Sequence, residues 1–172
     1  TGVPLSVVFK ACGGVLPNMK YLTATGGESL PKDVTRNKSV VERSVPIDKA
    51  KKDCILAWEL NGEPIPISHG GPLRLIVPGY FGCNQIKYVK RVAATKDQSQ
   101  AKIQQSGYRF RPIGEKGNSS QPSMWRMPVK SWIVHAYRDP TQNIYTMHGV
   151  AFSGERGIEV VEYSTDGETW KQ

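Results

Sequence analysis

Residues 68–87 read Ser68-His69-Gly70-Gly71-Pro72-Leu73-Arg74-Leu75-Ile76-Val77-Pro78-Gly79-Tyr80-Phe81-Gly82-Cys83-Asn84-Gln85-Ile86-Lys87. A histidine sits on a Gly-rich turn, an arginine opens a β-capable run, and a loop bounded by Gly79 and Gly82 ends on a lysine. In an extended strand side chains alternate, so Arg74 points away from the side that Leu73 and Leu75 share. Pro78-Gly79 stops the strand. Glycine lets backbone N–H groups approach a ligand closely, a guanidinium offers a planar fork, and an ammonium offers a point charge. That set suits a phosphorylated ligand. The spacing is neither a Walker loop nor a dinucleotide fingerprint, so ATP and NAD find no support.

Working outward, Leu5, Val8, Phe9 and Cys12 fall at i, i+3, i+4 and i+7 between Pro4 and Gly13-Gly14, which predicts a short amphipathic helix. Tyr21 to Thr25 is strand-like, and the polar stretch from Glu28 to Arg43 reads as irregular. Ser44 to Asp48 looks like a strand end feeding one helical turn. Cys54 to Trp58 is β-capable, and Asn61-Gly62 marks a tight hairpin turn. Pro64 and Pro66, at alternate positions, place Pro64 to Ile67 on an edge or in an extended loop. Ile86 to Val92 resumes a β-like pattern with cations interleaved. From Thr95 to Gln121 the Lys, Gln, Ser, Gly and Pro content predicts a long surface loop, a kind of segment that often carries function. Val129 to Ala136, Ile144 to Phe152 and Gly157 to Tyr163 read as strands, and Asp166-Gly167 as a hairpin turn before Thr169-Trp170.

The 172 residues suffice for one core-forming domain, or one domain and part of another. No run of about 18 apolar residues exists, which excludes a transmembrane helix. The net charge of +8 is uneven. Between Arg74 and Arg138 twelve cations face two acids, a net +10, and the remainder carries eleven against thirteen, a net −2. A basic middle points to an anionic partner. No zinc-finger, RNP or basic-zipper pattern is present, so nucleic acid is not the expected one. Cys12, Cys54 and Cys83 are odd in number and widely spaced, against a disulfide framework or a zinc ribbon. Cys12 and Cys54, set among Val, Phe, Ile and Leu, are expected to be small buried apolar residues. His69, His135 and His148 form no recognisable metal motif.

At Leu56 to Pro66, then at His69-Gly70-Gly71-Pro72-Leu73-Arg74, Val77-Pro78-Gly79, Lys87 and Arg91-Val92, the chain resembles the molybdopterin-binding domain of the sulfite oxidase family. Trp58 stands where many members have Tyr. Tyr108-Arg109 and Met127-Pro128-Val129-Lys130-Ser131 are similar to the bacterial sulfite dehydrogenase branch. Gly149 to Gly154, with Val160, Glu162, Ser164, Asp166, Gly167, Thr169 and Trp170, resembles the first strands of the family's immunoglobulin-like dimerisation domain.

The resemblance implies an α+β, β-rich sulfite-oxidase-type molybdopterin-binding domain over residues 1–127. It implies the N-terminal part of an immunoglobulin-like β-sandwich over 128–172. The implied cofactor is molybdenum-molybdopterin, with cofactor-binding residues His69, Arg74, Gln85, Ile86 and Lys87 and catalytic residue Tyr108. Against these stand plainer readings: His69 capping a turn, Arg74 pairing with Glu59 or Glu63, and Tyr108 as an ordinary loop tyrosine. Glu28 is matched to a cofactor-contacting acid, and Arg109 and Arg111 could supply charge for an oxyanion. The implied activity is oxidation of sulfite to sulfate with electrons passed to a c-type cytochrome, in a periplasmic protein able to form a homodimer through the immunoglobulin-like domain. Two alternatives remain open: another molybdoenzyme of the same fold acting on sulfane sulfur, nitrate or a sulfoxide, and a non-catalytic anion- or partner-binding module with a vestigial cofactor site. The family ligates molybdenum through a cysteine in a Cys-Gly-Asn-Arg-like motif upstream of the region resembled. No such context surrounds Cys12, Cys54 or Cys83, so no metal ligand is assigned, and the chain is read as a fragment in preference to a divergent relative without a metal thiolate.

Overall fold

The computed structural model describes all 172 residues, Thr1–Gln172. They form two compact units, Thr1–Trp125 and Arg126–Gln172. In the first, β1 (Gly2–Pro4) leads directly into α1 (Leu5–Ala11), which buries Leu5 completely. Val8 and Phe9 lie against the core at partial exposure. The helix stops because Gly13 and Gly14 take positive φ, 86° and 95°, with Gly14 N–H bonded to Phe9 O at 2.7 Å. Cys12 has already left the helical face there and is exposed, contrary to the burial expected of it.

Two three-stranded antiparallel sheets organise this unit. In one, β4 (Ile55–Ala57) lies between β1 and β7 (Arg74–Ile76), with Ala57 opposite Arg74 and Leu56 opposite Leu75. In the other, β2 (Tyr21–Gly26) lies between β3 (Glu42–Pro46) and β8 (Val89–Thr95). Between β3 and β4 runs α3 (Ile47–Asp53), burying Ile47 and Ala50. Leu5, Leu22, Val45, Ala50, Cys54, Leu75, Val77 and Ile86 close a single core that draws on both sheets.

The small hairpin β5 (Glu59–Leu60) and β6 (Glu63–Pro64) turns through Asn61 and Gly62 at φ 53° and 83°, the paired positive values that a two-residue hairpin loop demands. The segment expected to be irregular is partly ordered: α2 (Arg36–Ser39) is one helical turn, and β3 begins at Glu42. The long loop after β8 is not a solvent loop throughout. Residues Ile103–Gly107 form a single wide helical turn that buries Gln104 completely.

In the second unit β9 (Lys130–Asp139) pairs antiparallel with β10 (Ile144–Phe152), with a register shift at His148/Gly149. Trp132 and Phe152 meet edge to face at 5.4 Å. Trp132, Ile133, Val134, Tyr137, Ile144 and Tyr145 are nevertheless exposed. The strand expected over 157–163 does not form. Glu159, Val160, Val161 and Glu162 lie exposed, and Tyr163 alone pairs, exchanging both backbone hydrogen bonds with Lys171. The Asp166-Gly167 turn closes that bridge, with Gly167 at φ 81° and the Asp166 carboxylate accepting the N–H groups of Glu168 and Thr169. Those bonds hold its pKa well below the usual carboxylate range.

Candidate functional site

The decisive stretch folds back on itself, so residues 70–75 and 86–89 run side by side. Tyr88 N–H reaches Gly70 O at 2.7 Å, Val89 N–H reaches Leu73 O at 2.9 Å, and Leu75 N–H reaches Ile86 O at 2.8 Å. The segments carrying His69, Arg74 and Lys87 are thereby brought to one place. Gly70 stands at φ 91°, and a Cβ there would lie 2.4 Å from Lys87 Cγ, because the lysine stem crosses the glycine. Gly71 is tighter still: a Cβ would be driven into Ile65 O. Glycine at both positions follows from backbone conformation and close approach.

Arg74 is half-buried, and its Nε is fully buried with no hydrogen-bond partner. It forms an ion pair with neither Glu59 nor Glu63. Leaving a buried donor unmade is costly, and this N–H is one that the fold leaves unpaired. His69 ends a short 3-10 turn, is exposed, and makes no side-chain hydrogen bond. Its turn is capped by its own backbone, His69 N–H to Pro66 O at 2.9 Å, so the imidazole is not the cap.

Gln85 and Ile86 are placed differently from what side-chain recognition requires. The Gln85 amide is committed to the 77–80 turn, accepting Val77 N–H at 2.7 Å and donating to Val77 O at 2.8 Å and Tyr80 O at 3.3 Å. Ile86 is 1% exposed and belongs to the core. The backbone N–H groups of Ile86 and Lys87 find no acceptor within the chain. The amide of Gln85 is therefore a brace for the loop.

Tyr108 lies 42% exposed over a buried cation, with Arg43 Cζ 5.7 Å from its ring centroid. Arg43 is 1% exposed and bonds only neutral acceptors: Asn84 Oδ1 twice, Ile103 O and Ser123 Oγ. Burial, first, and the neighbouring Arg109 charge push its pKa down. Arg109, 4% exposed, spends its fork on Gln105 O, Gln121 O and Gln98 Oε1, clamping the loop instead of facing solvent. Arg111 is exposed. Cys83 is partly exposed beside Arg43, its thiol raised by burial and drawn back down by the guanidinium. Arg43 was not legible as a site residue. An arginine inside a stretch of mixed polar composition gives no period, and its side-chain partners, Asn84, Ile103 and Ser123, come from distant segments of the chain.

Glu28 lines a cleft of about 330 Å³ with Arg36, Lys90 and Arg91. It adjoins the segment after Lys87 through Gly27, where a Cβ would stand 2.8 Å from Tyr88 O. No group of three or more His, Cys, Asp and Glu side chains is arranged to hold a metal ion, and no helix is long and apolar enough to cross a membrane.

Residues 1–103 match the family model described as the oxidoreductase molybdopterin-binding domain. The chain is 33% identical to mitochondrial sulfite oxidase of Homo sapiens over 139 residues, covering 74% of this chain and 26% of that protein. It is 30% identical to inducible nitrate reductase [NADH] 2 of Glycine max over 200 residues, covering 99% of this chain and 22% of that protein. The crystal structure of the sulfane dehydrogenase SoxCD from Paracoccus pantotrophus superposes with a TM-score of 0.71 at 29% identity, over 98% of this chain and 41% of that one. The chain thus spans about a fifth to a quarter of the length of these curated relatives. It belongs to the oxidoreductase molybdopterin-binding domain family, in the sulfite oxidase group, whose cofactor is molybdenum-molybdopterin. The donor set fits the phosphate and the pterin of that cofactor: a half-buried guanidinium with an unpartnered N–H, a lysine ammonium, an imidazole with no partner in the chain, and the unpaired backbone N–H groups of Ile86 and Lys87.

Proposed function

We propose that this chain is part of a molybdenum-dependent oxidoreductase that oxidises sulfite to sulfate and passes the electrons to a c-type cytochrome. The observation that carries the reading is that one short segment serves both halves of the site. Gln85 to Lys87 run beside Gly70 and Arg74, and Asn84, one residue earlier, grips the arginine beneath Tyr108. The bound cofactor supplies oxygen-atom transfer and a two-electron redox change.

In this reading Arg74 and Lys87 hold the cofactor phosphate, His69 and the N–H groups of Ile86 and Lys87 hold the pterin side, and Tyr108 donates its hydroxyl to the substrate oxyanion. Gln85 fixes the loop on which these groups sit. The net +10 window between Arg74 and Arg138 raises the local concentration of the dianion. Residues 128–172 form the N-terminal part of an immunoglobulin-like domain through which the protein dimerises. The paired β9–β10 hairpin and its exposed Trp132, Ile133 and Tyr145 support that assignment. Periplasmic location belongs to the same reading, supported by the similarity of Tyr108-Arg109 and Met127-Pro128-Val129 to the bacterial sulfite dehydrogenase branch.

Nitrate reduction is the second reading, favoured by 30% identity to the soybean enzyme along 99% of this chain. Steady-state assays of the full-length, cofactor-loaded protein separate the two. Sulfite with oxidised cytochrome c is expected to give turnover, and thiosulfate, or nitrate with reduced viologen, little. Turnover with nitrate and none with sulfite would overturn the proposal.

A further inference from the structure

Arg43 is the largest side chain the protein buries completely, and its charge has no counter-ion. Glu42, the acid next to it in the chain, turns instead to Thr25 Oγ1 and Ser99 Oγ, each at 2.6 Å. All of Arg43's acceptors are neutral, as are those of Arg109. Buried charges are ordinarily paired, because desolvation costs more than hydrogen bonds to neutral groups return. A group needed only to tie Asn84, Ile103 and Ser123 together could have been a neutral amide. Two guanidinium charges in one polar core, with no acid against either, amount to a fixed positive potential.

Tyr108 lies over that potential. Tyr108 covers Arg43 with its ring and is itself 42% exposed, so the aromatic face meets the cation on one side and solvent lies beyond. The ring is placed there by Tyr108 O accepting Met124 N–H at 3.0 Å, while Met124 O accepts Asn84 Nδ2–H at 2.9 Å, so Tyr108, Asn84 and Arg43 are tied into one frame. We propose that Arg43 is a positioning residue that holds the Tyr108 ring by its face and supplies the buried positive charge drawing a small oxyanion to that tyrosine. This rests on the reading of Tyr108 as the residue that meets the substrate.

Cys83 provides a probe that needs no catalysis. It is partly exposed and feels the Arg43 charge, which opposes the rise in its pKa that burial causes. Cys12 is exposed and remote in sequence from this cluster, and serves as the internal control. In the full-length protein, alkylation of each cysteine by anionic iodoacetate and neutral iodoacetamide is followed by peptide mass spectrometry. The expected iodoacetate-to-iodoacetamide rate ratio at Cys83 exceeds that at Cys12 by about fivefold or more, as a local positive potential requires. Sulfate should slow Cys83 alkylation relative to chloride at equal ionic strength and leave Cys12 unaffected. Arg43→Gln should bring the Cys83 ratio down to that of Cys12, and Arg43→Lys should keep it. A wild-type ratio at Cys83 no higher than at Cys12 overturns the proposal, whether or not the glutamine variant folds. In the loaded enzyme Arg43→Lys is expected to lower kcat with KM for sulfite little changed, and an unchanged kcat overturns the positioning role. A high Cys83 ratio in a protein that does not oxidise sulfite would sink the proposed activity and leave the charge assignment standing.

Discussion

The stem of Lys87 crosses the α-carbon of Gly70, so closely that a Cβ at Gly70 would lie 2.4 Å from Lys87 Cγ. Gly70→Ala must therefore move the lysine and also strain a backbone at φ 91°. The strain costs about 1–3 kcal/mol. Gly62 stands at a similar φ of 83° with nothing within 4 Å of its Cβ position, so Gly62→Ala carries the strain alone. Both variants should lose stability in urea denaturation, and only Gly70→Ala should also lose molybdenum, read by elemental analysis.

Arg74 gives the opposite split. Its Nε has no partner within the chain, so its loss removes no hydrogen bond of that group from the fold. Arg74→Lys keeps the charge and loses the fork. A hydrogen bond to a charged group contributes about 1.5–3 kcal/mol, which corresponds to roughly tenfold or more in cofactor retention. Molybdenum per chain should fall by that factor while the melting temperature of the cofactor-free protein stays within about 2 °C of wild type. A large drop in that melting temperature would make Arg74 a structural residue.

Cys54 offers a pH test of the core. Burial, with the neighbouring Asp53 adding to it, pushes its thiol up from 9.0 to about 12. The folded protein thus retains a proton that the unfolded chain releases, so the contribution is complete below pH 9 and is lost as pH rises from 9 toward 12. The urea midpoint should fall over that window more steeply in wild type than in Cys54→Ala. Equal slopes would show that the thiol does not titrate with unfolding.

Gln104 ties the long loop to β3. It is fully buried, accepts Ser44 N–H at 3.1 Å and donates to Gln98 Oε1 at 2.6 Å. Gln104→Ala strands the Ser44 N–H and leaves Gln98 Oε1 with Arg109 alone, and should cost about 1–3 kcal/mol, measured by urea denaturation. A loss below about 0.5 kcal/mol would mean that the loop re-satisfies them.

Much of the strand framework was legible because local signals and tertiary demands coincide. Asn61-Gly62 specifies its hairpin, Leu73 to Val77 alternates around Arg74, and Gly13-Gly14 ends α1. Three features were not. Cys12 follows the apolar spacing of α1, yet the helix is only seven residues long and ends before it. The strand over 157–163 has the right residue types, but a strand also needs a neighbour, and only Tyr163 finds one. Arg43 meets Asn84, Ile103 and Ser123, 41 to 80 residues away, so no local pattern announces it. In the candidate site, the residue types at His69, Arg74 and Lys87 indicated an anion, and the structure brings their segments together. At Gln85 only the family resemblance pointed to cofactor binding, and its amide is engaged by Val77 and Tyr80.

In the proposed reaction Tyr108, held over Arg43, acts on sulfite beside a cofactor bound through the 69–87 segment, and this role is open to a direct measurement. It is tested most directly by sulfite-dependent reduction of cytochrome c in the full-length protein and its Tyr108→Phe variant at matched molybdenum content. Removing one donor to a developing oxyanion typically costs about 10²–10³ in kcat, so the variant should turn over at least tenfold more slowly with its molybdenum retained. Equal rates at equal molybdenum would exclude Tyr108 from the reaction.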